Sequence, residues 1–91
     1  MTNARQTVAL IDDHPLFRRG LIQLLQTISD FEIVGEASNG HDGIELVRDK
    51  QPDLLLLDLN MKDMSGLDVL KQLKSTDIDT RIVMITVSDQ T

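Results

Sequence analysis

Four consecutive leucines, residues 54–57, run directly into a single carboxylate, Asp58, within the stretch DLLLLDLNMKDMSG that spans residues 53–66. A strand with one wet face alternates apolar and polar side chains, so four large aliphatic residues in a row predict a strand covered on both faces. That is the situation of a parallel sheet with helices on either side. Pro52 and the polar turn after Asp58 mark the ends of the run. Asp58 then stands at the carboxyl end of a strand, the edge along which open α/β sheets bind ligands in the crevice between the following loops.

The flanking sequence repeats this theme. Residues 7–11 (TVALI) form a β-branched and aliphatic run that stops at Asp12 and Asp13, which predicts a first buried strand also ending in carboxylates. Asp13-His14-Pro15 reads as a helix start, with Asp13 as the cap and Pro15 in the first turn, where its missing N–H does no harm. Phe17, Leu21, Leu24, Leu25 and Ile28 recur at the spacing of one helical face and predict a helix over 16–28. Residues 31–37 (FEIVGEA) give a weaker strand interrupted by Gly35. Asn39 offers a cap to a short helix whose Gly40, Gly43, Ile44 and Val47 make a face small enough to lie close to a sheet. After the central strand, Ser65-Gly66-Leu67-Asp68 resembles a capping box, and Leu67, Val69, Leu70 and Leu73 carry a third helix to about Lys74. Residues 81–87 (RIVMITV) predict a fourth buried strand with a hydroxyl, Thr86, near its end, followed by Ser88 and Asp89.

Strand and helix thus alternate from end to end, with no internal repeat and no linker. The expected class is α/β, a doubly wound parallel sheet. Ninety-one residues make one domain or less, and a chain of this size hides only about 60 to 65% of its unfolded surface. Fifteen acidic against nine basic groups leave a formal charge of −6, the wrong sign for a segment that grips a phosphate backbone. There is no cysteine, which excludes disulfides and thiolate metal sites. The longest apolar run is too short to cross a bilayer and the first residues lack a secretory apolar region, so a cytoplasmic home with no membrane partner is expected.

Parallel strands present all their carboxyl ends on one side, so Asp12, Asp13, Asp58 and Thr86 converge above the sheet. Two carboxylates about 4 Å apart repel by about 4 kcal/mol at an effective dielectric near 20. Something positive is required there. With oxygen ligands and no His or Cys in a ligand spacing, a hard cation such as Mg2+ fits, since it retains several waters and needs only one or two carboxylates. Such a centre suits phosphoryl chemistry.

Each of these residues has a plainer reading. A lone Asp at a strand end, such as Asp12 by itself, is commonly a turn former or cap; three together are harder to explain that way. His14 is read as a solvated helix-start residue, and Met61 and Met64 as packing within their loop. Gly35 and Gly40 share the spacing of a phosphate-cradling loop, but His41 and Asp42 stand where Lys and Ser or Thr belong. Arg18, Arg19, Lys71 and Lys74 read as solvated helix faces.

The acid pair in LIDDHP, the central LLLLDLNM, the loop DMSG and the late RIVMITVSD together resemble the receiver domain of two-component response regulators. The wording IDDHPLFRRG, DLNMKDMSGLDVL and TVSD is most similar to the nitrate/nitrite regulators of the NarL/FixJ group. The resemblance runs the length of the chain. It implies a flavodoxin-like sheet with strand order 2-1-3-4-5, and a sensor histidine kinase as phosphodonor. By the same likeness Asp58 is the phosphoacceptor, Asp13 a direct Mg2+ ligand, Asp12 a ligand through water, Asn60 a ligand through its backbone carbonyl, and Thr86 the switch hydroxyl. Lys62 departs from the family where many receivers carry proline, which bears on the rigidity of that turn.

Receivers continue into a fourth helix, a fifth strand and a fifth helix, and regulators of this group add a helix-turn-helix domain that binds DNA. Residues 1–91 are therefore expected to be the N-terminal portion of a receiver, ending after its fourth strand. A polypeptide ending at Thr91 is expected to leave the edge over residues 81–87 unpaired, and either to form a homodimer through it or to stay partly unfolded. Three other readings compete with this one. A Mg2+-dependent aspartyl-phosphate hydrolase wants a second acid two residues after its nucleophile, where Asn60 stands. A docking or oligomerisation module that never carries phosphate leaves the three acids unexplained. A flavodoxin-like electron carrier has little to sandwich its flavin here, with two phenylalanines and neither Trp nor Tyr. The receiver is expected to be no enzyme beyond its own phosphoryl transfer and dephosphorylation.

Overall fold

A computed structural model describes residues 5–86. The elements run β1 (Gln6–Ile11), α1 (Pro15–Gln26), β2 (Phe31–Ala37), α2 (Gly40–Lys50), β3 (Leu54–Asp58), α3 (Gly66–Lys74) and β4 (Arg81–Ile85). The strands form one sheet in the order β2-β1-β3-β4, all pairs parallel. The α/β parallel sheet expected from the sequence is therefore present. Of the fourth strand predicted over 81–87, Arg81–Ile85 is strand; Val87 and the following Ser88 and Asp89 lie outside the described residues.

The pleat divides the apolar residues between two layers, because successive side chains on a strand point to opposite faces. Ala9, Ile11, Leu55 and Leu57 face α2 and α3, joining Ile44, Val47, Val69 and Leu73 in one core. Val8 and Leu10 face α1 and pack with Leu25, while Leu54 and Leu56 lie partly buried against the same cluster. Leu55 and Leu57 are wholly buried, and removal of each from water stabilises the fold by about 1.5–3 kcal/mol. The four leucines thus divide two and two. The first pair is sealed by two helices, whereas the second is only half-covered by α1.

Helix α1 departs from expectation at both ends. Its N-cap is His14, with no side-chain capping bond, rather than Asp13; the Asp13 carboxylate instead accepts the backbone N–H of Lys62 across the sheet edge at 3.0 Å. The helix stops at Gln26, where the Thr27 hydroxyl turns back to the Leu24 carbonyl at 2.6 Å, so Ile28 falls beyond it. Of the five residues predicted for its apolar face only Leu25 is buried, while Phe17, Leu24 and Ile28 are 41%, 61% and 41% exposed.

The other caps follow the sequence. Asn39 Oδ1 accepts the N–H of Asp42 at 2.8 Å and Ser65 Oγ that of Asp68 at 3.2 Å, each meeting an orphan donor of the first turn. The register slips beside Gly35: Val8 pairs with Ile33 and Ala9 with Gly35, so Val34 is the extra residue of a bulge. Gly43 brings α2 onto the sheet, since a Cβ there would lie 2.4 Å from Ile11 Cδ1. Asp53 ties β3 to β1 by accepting the N–H and hydroxyl of Thr7 at 2.9 and 3.1 Å.

Candidate functional site

The carboxyl ends of β1 and β3 lie side by side, with Ile11 paired to Leu57. Asp12 extends the β1 ladder by one bond, its N–H reaching the Ala37 carbonyl at 3.0 Å. Asp12 and Asp58 are buried, 1% and 0% exposed, and they are the only buried polar or charged residues among those described. Asp13 joins them. One ligand atom from each of Asp12, Asp13, His14 and Asp58 falls within a cluster no wider than 4.8 Å. The convergence of carboxylates expected above the sheet is real.

His14 is the residue that sequence reasoning placed wrongly. Its Nδ1 lies 3.0 Å from Asp12 Oδ1, 3.2 Å from Asp13 Oδ1 and 3.3 Å from Asp58 Oδ2. The backbone explains the pose. His14 occupies the extended N-cap position, and its own N–H donates to Asp12 Oδ1 at 2.6 Å, so the side chain is folded back over the acids rather than out to solvent. Its hydrogen bond with Asp12 raises the imidazole pKa against the lowering effect of burial, and the charges of Asp12, Asp13 and Asp58 raise it further.

Arg18 was also expected to be a solvated residue and is not. Its guanidinium donates to the Asp12 carbonyl at 2.5 Å and to Glu36 Oε1 at 2.6 Å, linking α1, the turn after β1 and the end of β2. No local pattern signals this, because Glu36 is eighteen positions away and the pairing exists only once β2 lies beside β1. Lys71 and Lys74 are exposed, as expected.

The loop after β3 is fixed at several points. Leu59 continues the ladder to the Ile85 carbonyl at 2.8 Å. Asn60 donates its N–H to Asp58 Oδ1 at 3.0 Å, and the Lys62 N–H reaches Asp13 as described. Met61 and Met64 pack on the α2–α3 core, the role expected of them. The Asp63 carboxylate accepts the N–H groups of Gly40, at 2.9 and 3.0 Å, and of His41, at 3.2 Å. Thr86 sits one residue beyond β4, exposed, just after the Ile85 that pairs with Asp58.

The charge balance is strained. Burial pushes the Asp58 carboxyl above its usual range, the Asn60 N–H pulls it partly back, and the neighbouring Asp12 raises it again. Asp12 Oδ2 and Asp58 Oδ2 are buried with no hydrogen-bond partner, and an unsatisfied buried polar group costs about 1–3 kcal/mol, more when charged. Both facts fit a centre built around a cation. The carboxylates of Asp12, Asp13 and Asp58 are oxygen donors, chemically suited to a hard divalent ion.

The sequence matches the response regulator receiver domain family over residues 8–91. It is 51% identical over 82 residues to the nitrate/nitrite response regulator protein homolog of Haemophilus influenzae, covering 90% of this chain and 39% of that protein. It is 51% identical over 83 residues to the nitrate/nitrite response regulator protein NarL of Escherichia coli, covering 91% and 38%. For NarP of the same organism the identity is 48% over 82 residues, covering 90% and 38%. The chain therefore spans less than two-fifths of the curated relatives it matches. Among solved structures, the signal receiver domain of NarL from Mycobacterium tuberculosis superposes with a TM-score of 0.88 at 36% identity, covering 96% of this chain and 70% of that one. The response regulator domain of Thermotoga maritima CheB gives 0.85 at 26% identity, covering 90% and 60%.

Proposed function

The chain belongs to the response regulator receiver domain family, and from that premise we propose that Asp58 accepts a phosphoryl group from a sensor histidine kinase of a nitrate/nitrite-type regulatory system. The observation that carries this reading is the state of the Asp58 carboxylate. One oxygen is held by the Asn60 N–H, and the other, buried and without a hydrogen bond, lies among the gathered acids 3.3 Å from His14 Nδ1.

In the proposed reaction a carboxylate oxygen of Asp58 attacks the phosphorus of a phosphohistidine in line. A P–O bond forms as the P–N bond breaks, and the imidazole leaves with the bonding pair and takes up a proton. Asp12 and Asp13, with Asp58 and the Asn60 carbonyl, would hold Mg2+, which supplies charge neutralisation for the phosphoryl oxygens. Asp13 would hold the ion directly and Asp12 through water. Arg18 fixes the Asp12 carbonyl and so the turn that carries both acids. Thr86 is the hydroxyl that turns to the new phosphoryl group, whose added charge biases the surface at the strand ends. Beyond this transfer and the later hydrolysis of the aspartyl phosphate to the carboxylate and inorganic phosphate, no turnover is proposed for the domain.

Residues 1–91 are taken as the N-terminal portion of the receiver, with its remainder and a helix-turn-helix domain for DNA following in the whole protein. β4 is the outer strand of the described sheet, with Val83 42% exposed, and its free edge is read as the place of the fifth strand or, failing that, of a second copy. No described helix is long and apolar enough to cross a membrane; a cytoplasmic setting for the kinase reaction belongs to the same proposal.

The test is chemical mapping. Borohydride reduces an aspartyl phosphate to homoserine, so reduction of the whole protein after exposure to a phosphorylated kinase should leave homoserine at position 58. Homoserine elsewhere, or none, would refute the assignment.

A further inference from the structure

We propose that Glu36 is a positioning residue for phosphoryl acceptance and that the bulge at Val34 aims it: Glu36 orients the Arg18 guanidinium, and through it the Asp12 carbonyl at the turn that carries Asp12 and Asp13. The proposal rests on the reading of Asp58 as phosphoacceptor. It goes beyond that reading by adding a residue from β2, a strand that contributes no group to the acid cluster.

The strand register is the first ground. Residues paired across a ladder share a face of the sheet, and a slip of one residue sends every following side chain to the other face. Before the bulge Ile33 pairs with Val8, and both belong to the cluster under α1. After it Ala37 pairs with Ile11, and both belong to the core under α2 and α3. Gly35 lies on that same side, where a Cβ would stand 2.5 Å from Leu46 Cδ1. Glu36, between Gly35 and Ala37 and paired with Leu10, is thereby turned to the α1 face. A β2 without the extra residue would set Glu36 opposite Ile11 and send its carboxylate into the apolar core. Bulges beside active sites commonly re-aim a side chain in this way.

What Glu36 meets is the second ground. Its Oε1 accepts the Arg18 Nε–H at 2.6 Å, while Arg18 Nη1 donates to the Asp12 carbonyl at 2.5 Å. The Asp12 N–H is held in turn by the Ala37 carbonyl at 3.0 Å. Adjacent residues of β2 thus hold both sides of Asp12, Ala37 directly and Glu36 through Arg18. A guanidinium suits the task because its planar fork fixes the donors in one rigid frame, so tethering Nε sets where Nη1 points. The Arg18 side chain is 16% exposed and that of Glu36 48%. An ion pair open to solvent on one side contributes little to stability, so its loss should be felt in the placement of the acids rather than in the fold.

The experiment uses the whole protein with Mg2+ and acetyl phosphate as the donor. Glu36→Leu should slow the gain of a phosphoryl group about tenfold, the effect of losing an orienting partner behind the reacting groups, and leave the urea midpoint nearly unchanged. Glu36→Gln keeps an accepting oxygen and should recover part of the rate, whereas Glu32→Leu removes the same charge from the same strand and should keep all of it. Arg18→Ala should slow the reaction likewise, and adding Glu36→Leu to it should cost nothing further, since Glu36 acts through Arg18. Without any turnover, the carbonyl 13C resonance of Asp12 should move in Glu36→Leu. An unchanged rate or an unmoved Asp12 resonance in Glu36→Leu, or a further loss on adding it to Arg18→Ala, would overturn the proposal and leave Asp58 as phosphoacceptor. A parent protein that takes up no phosphoryl group would overturn both. In the parent the Arg18 Nε–H should exchange slowly with water, and fast exchange would overturn the proposal even where a variant folds poorly.

Discussion

The carboxylate of Asp63 holds the backbone N–H of Gly40 at 2.9 and 3.0 Å, so the loop that follows Asp58 is fastened to the first residue of α2. Asn39 already caps that helix through Asp42, and Asp63 supplies a second cap from twenty-three positions away. Asp63→Ala is expected to cost about 1 kcal/mol, the usual worth of an N-cap, seen as a lower urea midpoint, with Asp63→Asn recovering part of it.

Acid should erase that difference. Burial works to raise the Asp63 carboxyl, but the N–H groups of Gly40, His41 and Met64, with its own, outweigh it and hold the pKa below the usual value. A depressed native pKa means the unfolded chain binds the proton first. The contribution is complete above the ordinary carboxylate pKa and is lost as pH falls through the lowered native one. Urea midpoints of parent and Asp63→Ala should therefore differ at neutral pH and converge in acid; a constant gap would show that the carboxylate charge is irrelevant.

Two glycines should respond oppositely to alanine. A Cβ on Gly66 would lie 2.5 Å from the Asp58 carbonyl oxygen and 2.9 Å from Leu59 Cα, both backbone atoms. The strand end carrying Asp58 would have to move, at a cost of about 1–3 kcal/mol, and phosphoryl acceptance should fall with it. Gly20, inside α1, has nothing within 4 Å of such a Cβ, so Gly20→Ala should stabilise by about 0.5–1 kcal/mol through helix propensity. Thermal melts of both variants check the pair.

Asp58→Asn should raise the melting temperature when no divalent ion is present. Burial holds the Asp58 pKa up, so in the native state its charged form is unfavourable, and stability falls as pH rises through the window between the unfolded and the raised native pKa. The neutral amide removes that fall. A gain of about 1 kcal/mol is expected from relief of the unsatisfied oxygen; an Asn variant less stable than the parent at neutral pH would contradict it.

Asp13→Ala should abolish most of the stabilisation given by Mg2+. An ion at a hundred times its dissociation constant adds about 2.7 kcal/mol to a native state that alone binds it. Melts with and without Mg2+ measure this, and an undiminished rise in the variant would remove Asp13 from the ligand set.

Most of the framework was legible because it rests on local signals: the leucine run ending at Asp58, the caps at Asn39 and Ser65, the close-packing glycine at 43. The cluster of Asp12, Asp13 and Asp58 followed from strand direction alone. What escaped depended on contacts between distant residues. His14 looked solvated because its neighbours in sequence say nothing of Asp58, forty-four positions on, and Arg18 looked solvated because Glu36 arrives only with the sheet. The local pattern makes Asp13 a cap, but its carboxylate instead accepts the Lys62 N–H across the strand ends. Helix α1 illustrates the opposite error: its periodicity was right, yet most of that face is exposed among the described residues, since periodicity shows which side is apolar and not what covers it.

The central claim is that Asp58 is the phosphoacceptor of a centre that needs a divalent ion. Its most direct test is the intact mass of the whole protein after incubation with a small phosphodonor, with and without Mg2+. The account predicts a gain of one phosphoryl group that requires the ion and is absent from Asp58→Asn. The same gain in the Asn variant, or a gain indifferent to Mg2+, would contradict it.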